Sequence, residues 1–86
     1  MKNAITEARP ANFENAVTQL KELADHGYVE DANYEFINLK PETPHTPIWR
    51  CVCLVRGWDS TDGYAASKPD AKKVAALKML FNVTAY

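Results

Sequence analysis

No apolar run among the 86 residues approaches the roughly 18–20 needed to cross a bilayer. The N-terminal MKNAITEARP also lacks the apolar stretch of a secretory signal. A membrane-spanning or exported chain is therefore not expected, and a soluble cytoplasmic protein is. Cysteine is scarce, and Cys51 and Cys53 stand one residue apart. On a strand they would point the same way, and a disulfide between them would strain the backbone. Together with His26 and His45 they match no usual zinc spacing, so the thiols are expected to pack in the core. No paired carboxylate motif and no nucleophile–base set is visible, which argues against an enzyme and against any metal or cofactor. Repeats, low-complexity tracts and linkers are missing as well.

An excess of charge of either sign is also lacking: ten Lys and Arg face eleven Asp and Glu, for a net charge of −1. Polyanion binders usually carry a clear excess of cations, so for such a function local arrangement has to matter more than the total. Here the charges are uneven. Residues 1–33 hold Lys2, Arg9 and Lys21 against Glu7, Glu14, Glu22, Asp25, Glu30 and Asp31, whereas Lys68, Lys72, Lys73 and Lys78 gather late in the chain.

The 47% of hydrophobic residues suffices for one compact core. A chain this short buries only about 60–65% of its unfolded surface, so a second core has no room. Between Asn12 and His26, Phe13, Ala16, Val17, Leu20, Leu23 and Ala24 recur at helical spacing, with Asn12 placed to cap and Gly27 placed to end the helix. Residues 1–11 read as a tail, leaving 12–86 as the domain. Asn33–Leu39 alternates like a strand. Pro41, Pro44 and Pro47 make 40–47 a loop. Ile48–Arg56 (IWRCVCLVR) is the strongest strand, Gly57 opens a turn, and Ser60–Ala65 is a third, weaker strand. Ser67 and Asp70 form a capping box, with Pro69 in the first turn of a second helix running to about Asn82. The expected fold is an α+β sandwich of order α-β-β-β-α, a three-stranded antiparallel meander with both helices on one face.

Two polar groups stand on the helices. Asn15, Thr18 and Glu22 share one face of the first helix with Gln19 adjacent; taken alone, such a stripe is an ordinary solvated face. Lys68 and Lys72 stand four apart beside Lys73, over a helix N-terminus whose free amides favour anions.

With S-K-P-D-A-K-K-V-A-A opening the last helix, this order resembles the double-stranded-RNA-binding domain family from about Asn12 to Val83. Three segments carry the likeness. Leu20-Lys21-Glu22-Leu23 followed by Tyr34 is similar to the family's L-x-E-L and later Tyr. His45-Thr46-Pro47-Ile48-Trp49 is similar to its H-x-P-x-F. Gly63, Ser67, Lys68, Ala71, Lys72, Ala75 and Ala76 are similar to its G-x-G-x-S-K-K-x-A-K-x-x-A-A. Such domains are often attached to ribonuclease III-type enzymes, so the chain fits a non-catalytic piece of one as well as a free-standing protein.

The resemblance implies binding of duplex RNA by shape. Asn15, Thr18, Gln19 and Glu22 would enter one minor groove and His45 the next, while Lys68, Lys72 and Lys73 would meet phosphates across the major groove between them. The sequence departs from the family at Thr43 and Ala65, which replace glycines, in a loop one residue longer, and at Pro69, which replaces a lysine. Asp70 adds a negative charge. Modest, salt-sensitive affinity follows. The alternative keeps the fold and gives a homodimer or protein partner docked on a sheet face of Ile37, Leu39, Ile48, Val52 and Leu54.

Overall fold

The computed structural model describes residues 12–84, so the tail expected over 1–11 lies outside the described residues. Five elements follow one another: α1 (Ala16–Asp25), β1 (Asn33–Asn38), β2 (Trp49–Leu54), β3 (Thr61–Ala65) and α2 (Lys68–Thr84). The strands form one antiparallel sheet of order β1-β2-β3, and α2 lies across β2 and β3 while α1 packs against α2. The α-β-β-β-α order expected from the sequence is the order found.

Helix α1 starts later than its apolar spacing suggests. Asn12 caps the turn before it, its Oδ1 accepting the Asn15 N–H at 3.0 Å, and Asn15 then becomes the residue flanking the helix. The far end closes through Gly27, whose φ of 81° lies in the left-handed region. There the Tyr28 N–H reaches the Leu23 carbonyl at 2.9 Å and the Gly27 N–H reaches Ala24 at 3.0 Å, satisfying carbonyls that the helix leaves unpaired.

Alternation divides the sheet into two faces. Cys51 and Cys53 point inward and are fully buried as free thiols, with Leu20 and Leu23 of α1 and Ala71, Ala75, Ala76, Met79 and Leu80 of α2 around them. Burial is the main cause that pushes the Cys53 thiol from 9.0 up to about 11, and it raises Cys51 as well.

Helix α2 begins behind Ser67, whose Oγ accepts the Asp70 N–H at 3.3 Å. Asp70 itself turns toward Lys73, 3.9 Å away, rather than back to the Ser67 amide, so one half of the expected capping box forms. The helix then sits directly on β3. A Cβ at Gly63 would fall 2.6 Å from the Ala75 nitrogen and the Val74 Cβ and 2.7 Å from the Ala71 oxygen. The Thr61 hydroxyl donates to the Ala75 carbonyl at 2.8 Å and pins the same crossing. The groups facing Gly63 are mostly backbone, so no side-chain rotation relieves an added methyl. Gly63→Ala should lower stability by about 1–3 kcal/mol, the usual cost of overpacking, read from urea midpoints; an unchanged midpoint would show that the helix yields freely.

The Cys53 shift gives a second expectation. A thiol whose pKa is higher folded than unfolded leaves stability intact below pH 9 and removes it as pH rises through about 11. Denaturation midpoints should therefore fall over that window, and fall less in Cys53→Ala. Equal losses in both proteins would assign the alkaline transition to other groups.

Candidate nucleic-acid interface

The first two turns of α2 project Lys68, Lys72 and Lys73. Spacing of four puts Lys68 and Lys72 on one face, and helical side chains lean toward the N-terminus. That lean carries them over aromatic rings at the border of the inner sheet face. Lys68 Nζ stands 4.7 Å from the centroid of the Trp49 ring and 5.7 Å from that of Phe36. Lys72 Nζ stands 4.7 Å from the centre of the Tyr34 ring. Each such contact contributes about 0.5–1 kcal/mol at an exposed site, enough to bias where the ammonium sits without removing it from water. Tyr34 stands directly across from Cys53 in the sheet. Burial, and next the neighbouring Cys53, raise its phenol well above the ordinary value.

Lys73 occupies a different setting. Its Nζ lies 3.3 and 3.4 Å from the two carboxylate oxygens of Glu14, 3.9 Å from Asp70, and 5.5 Å from the centre of the Phe13 ring. Among the described residues Lys68 and Lys72 form no comparable ion pair.

Two further segments were expected to share the site with this cluster. Asn15, flanking α1, and Thr18 on it are exposed and Glu22 is half-buried, all on one face. Gln19 is a correction to the expected stripe: at 1% exposure it lies in the core. Its position between Ala16, Leu20 and Leu23 on the buried side shows why, since 3.6-residue periodicity puts it there.

The β1–β2 loop is closed at its base by the Leu39 N–H on the Ile48 carbonyl at 2.9 Å. It then makes two successive turns, from Lys40 to Thr43 at 3.1 Å and from Thr43 to Thr46 at 3.0 Å. Pro41 and Pro44 occupy the second position of each, where a fixed φ suits the turn. His45 follows Pro44 and is exposed.

The start of α2 thus lies between the entry to α1, reached through Lys73 and Glu14, and the loop end of the sheet, reached through Lys68 and Trp49. The ring platforms of Phe13, Tyr34, Phe36 and Trp49 were not part of the expected site. Strand alternation alone would have put Tyr34 and Phe36 on the helix-facing side, one step from this finding.

On the opposite face of the sheet, Ile37 and Leu39 are 40% and 43% exposed, Ile48 and Leu54 are half-buried, and Val52 is buried. The apolar strip expected there is divided by charge. Arg50, paired across from Ile37, donates through Nε to Asp62 at 3.1 Å, and Lys78 approaches the same carboxylate at 3.8 Å. The hydrogen bond from Arg50 is the first cause that holds the Asp62 carboxyl below the usual carboxylate range.

A groove of about 260 Å³ runs beside α1, with Val17, Lys21, Ala24, Tyr34 and Lys72 in its walls. Among the described residues no group of three or more His, Cys, Asp or Glu could hold a metal ion, and no helix is long and apolar enough to cross a membrane.

The class defined by these features is a small α-β-β-β-α sandwich with a cluster of lysines at the start of its last helix. Over 70 residues the chain is 39% identical to Ribonuclease 3 of Roseburia hominis, a match that takes in 80% of this chain and 19% of that protein. Over 69 residues it is 30% identical to Ribonuclease 3 of Treponema succinifaciens, taking in 80% of this chain and 18% of that protein. The chain therefore spans about a fifth of the length of these relatives. No family model and no solved structure matches it.

The aromatic seats of the lysines have a spectroscopic consequence. Protons above a ring face resonate upfield, so the Lys68 and Lys72 ε-methylenes should be shifted upfield in solution. Trp49→Leu should relax the Lys68 signal and Tyr34→Leu the Lys72 signal. Lysine shifts that stay put in both variants would show that the ammonium groups do not occupy these seats.

Proposed function

We propose that this chain is a non-catalytic double-stranded-RNA-binding domain, comprising residues 12–86 after an N-terminal tail and working in the cytoplasm. The observation that carries this reading is the lysine cluster at the start of α2, linked to the entry of α1 through Lys73 and Glu14 and to the first residue of β2, where the proline-shaped loop ends, through Lys68 and Trp49. The similarity to a segment of Ribonuclease 3, proteins named as ribonucleases, supports it independently.

The mechanism follows from the chemistry of those groups. An A-form duplex has a deep, narrow major groove that side chains do not read and a shallow minor groove displaying 2′-hydroxyls. Cations at the start of α2, reinforced by the helix dipole, neutralise phosphates on either side of the major groove. Lys68 and Lys72 are suited to this, because a phosphate displaces no carboxylate from them. Asn15 and Thr18 can each donate and accept hydrogen bonds at the minor groove, and Glu22 can accept from a 2′-hydroxyl. His45 serves the neighbouring minor groove. Gln19, being buried, supports α1 rather than touching RNA.

The other reading, docking of a second copy or a protein partner on Ile37, Leu39, Ile48, Val52 and Leu54, is less well supported. The Arg50–Asp62 pair and Glu35 interrupt that face. A partner would have to cover those charges or match them.

The proposal makes a quantitative claim about salt. Each of Lys68→Ala and Lys72→Ala should weaken binding to duplex RNA and lower the slope of log affinity against log salt by about one unit. Binding curves identical to the unmodified protein at every salt concentration would exclude these lysines from the phosphate contact.

A further inference from the structure

Three lysines share the start of α2, yet they are not electrostatically equivalent. All three stand near aromatic rings, Lys73 over Phe13 at 5.5 Å, but only Lys73 is also held by carboxylates among the described residues: both oxygens of Glu14 at 3.3 and 3.4 Å, and Asp70 at 3.9 Å. Glu14 is remote in sequence, 59 residues away, and precedes α1 directly beside Asn15. It therefore lies where the lysine cluster meets the polar face of α1.

We infer that Glu14 limits the affinity of the duplex-binding site by occupying Lys73 as an internal competitor for phosphate. This rests on the RNA-binding reading above. A carboxylate offers an ammonium group the same two-oxygen surface that a phosphate does. A backbone phosphate reaching Lys73 must either displace Glu14 or settle beside a like charge. Displacement is feasible because the Glu14 side chain is 70% exposed, while Lys73 is only 29% exposed and stays in place. Surface pairs of this kind are weak, so the contact tunes the site without closing it. Asp70 contributes to the same effect but also sits in the first turn of α2, where a negative charge stabilises the helix. Glu14 precedes its helix and can be neutralised with less collateral loss.

The test compares binding of a duplex RNA of about 20 base pairs, longer than the roughly 16 such a domain spans, by the whole chain and four variants. These are Glu14→Gln, Lys73→Ala, the double variant, and Glu35→Gln, which removes the same charge from the opposite face of the sheet. Thermal denaturation checks that each is folded. Glu14→Gln should bind about 3- to 5-fold more tightly near physiological salt, the scale of one surface ion pair, and the gain should shrink as salt rises. In the Lys73→Ala background the gain should fall to that of Glu35→Gln. A gain that persists without Lys73 would overturn the inference, because general charge would then explain it. Equal or weaker binding by folded Glu14→Gln would overturn it too, making Glu14 a positioning contact between α1 and α2. If neither the unmodified chain nor Glu14→Gln binds even at low salt, the RNA-binding reading falls and this inference with it.

Discussion

The approach of α2 to β3 at Gly63 is the constraint on which the rest depends. With Ala75 and Ala71 backbone atoms already within 2.6–2.7 Å of where a Cβ would stand, the helix lies as low on the sheet as a peptide chain allows. Small residues at Ala71, Ala75 and Ala76 permit the approach from the helix side, and the Thr61 bond to the Ala75 carbonyl fixes its register. That height determines the surface. Only because the helix is so close do Lys68 and Lys72, leaning back toward the N-terminus, come down onto Trp49, Phe36 and Tyr34. Core packing and the cationic surface are thus products of one contact.

A chain with net charge −1 must bind a polyanion, if it does, by arrangement rather than by bulk attraction. The arrangement found is economical. Arg50 and Lys78 serve Asp62 on the far side of the sheet, and Lys21 pairs with Asp25 along α1. The cations at the start of α2 are divided between ring faces and carboxylates. If the chain binds RNA as proposed, that division, together with the replacement of a lysine by Pro69, would keep the affinity modest.

Much of the fold could be read from the sequence because local rules decide it. Gly27 ends α1, Ser67 starts α2, the prolines make the loop, and alternation sends Cys51 and Cys53 inward. Errors arose where a local rule had two solutions. Asn12 and Asn15 are both good capping residues; the Asn12 side chain closes the turn before the helix, and Asn15 stands at the cap position without a side-chain cap bond. Gln19, expected beside the polar stripe, instead follows its place in the helical period between Ala16 and Leu23 and lies inward. Position outweighed residue type there. The contacts of Lys73 with Glu14 belong to another category, since no periodicity links residues 59 apart and only the packing of α1 on α2 brings them together. The lysine–aromatic seats fall between these cases: the faces of the strands were legible, and the height of the helix above them was not.

The proposed function is recognition of the form of an RNA duplex by this surface. It is tested most directly by titrating the chain with a duplex RNA and with DNA of the same sequence, each about 20 base pairs, at one moderate salt concentration. The 2′-hydroxyls and the wide minor groove exist only in the A-form RNA. Saturable binding to RNA and markedly weaker binding to DNA are expected. Equal affinity for the two would reduce the surface to a nonspecific phosphate binder, and no binding to either would contradict the account.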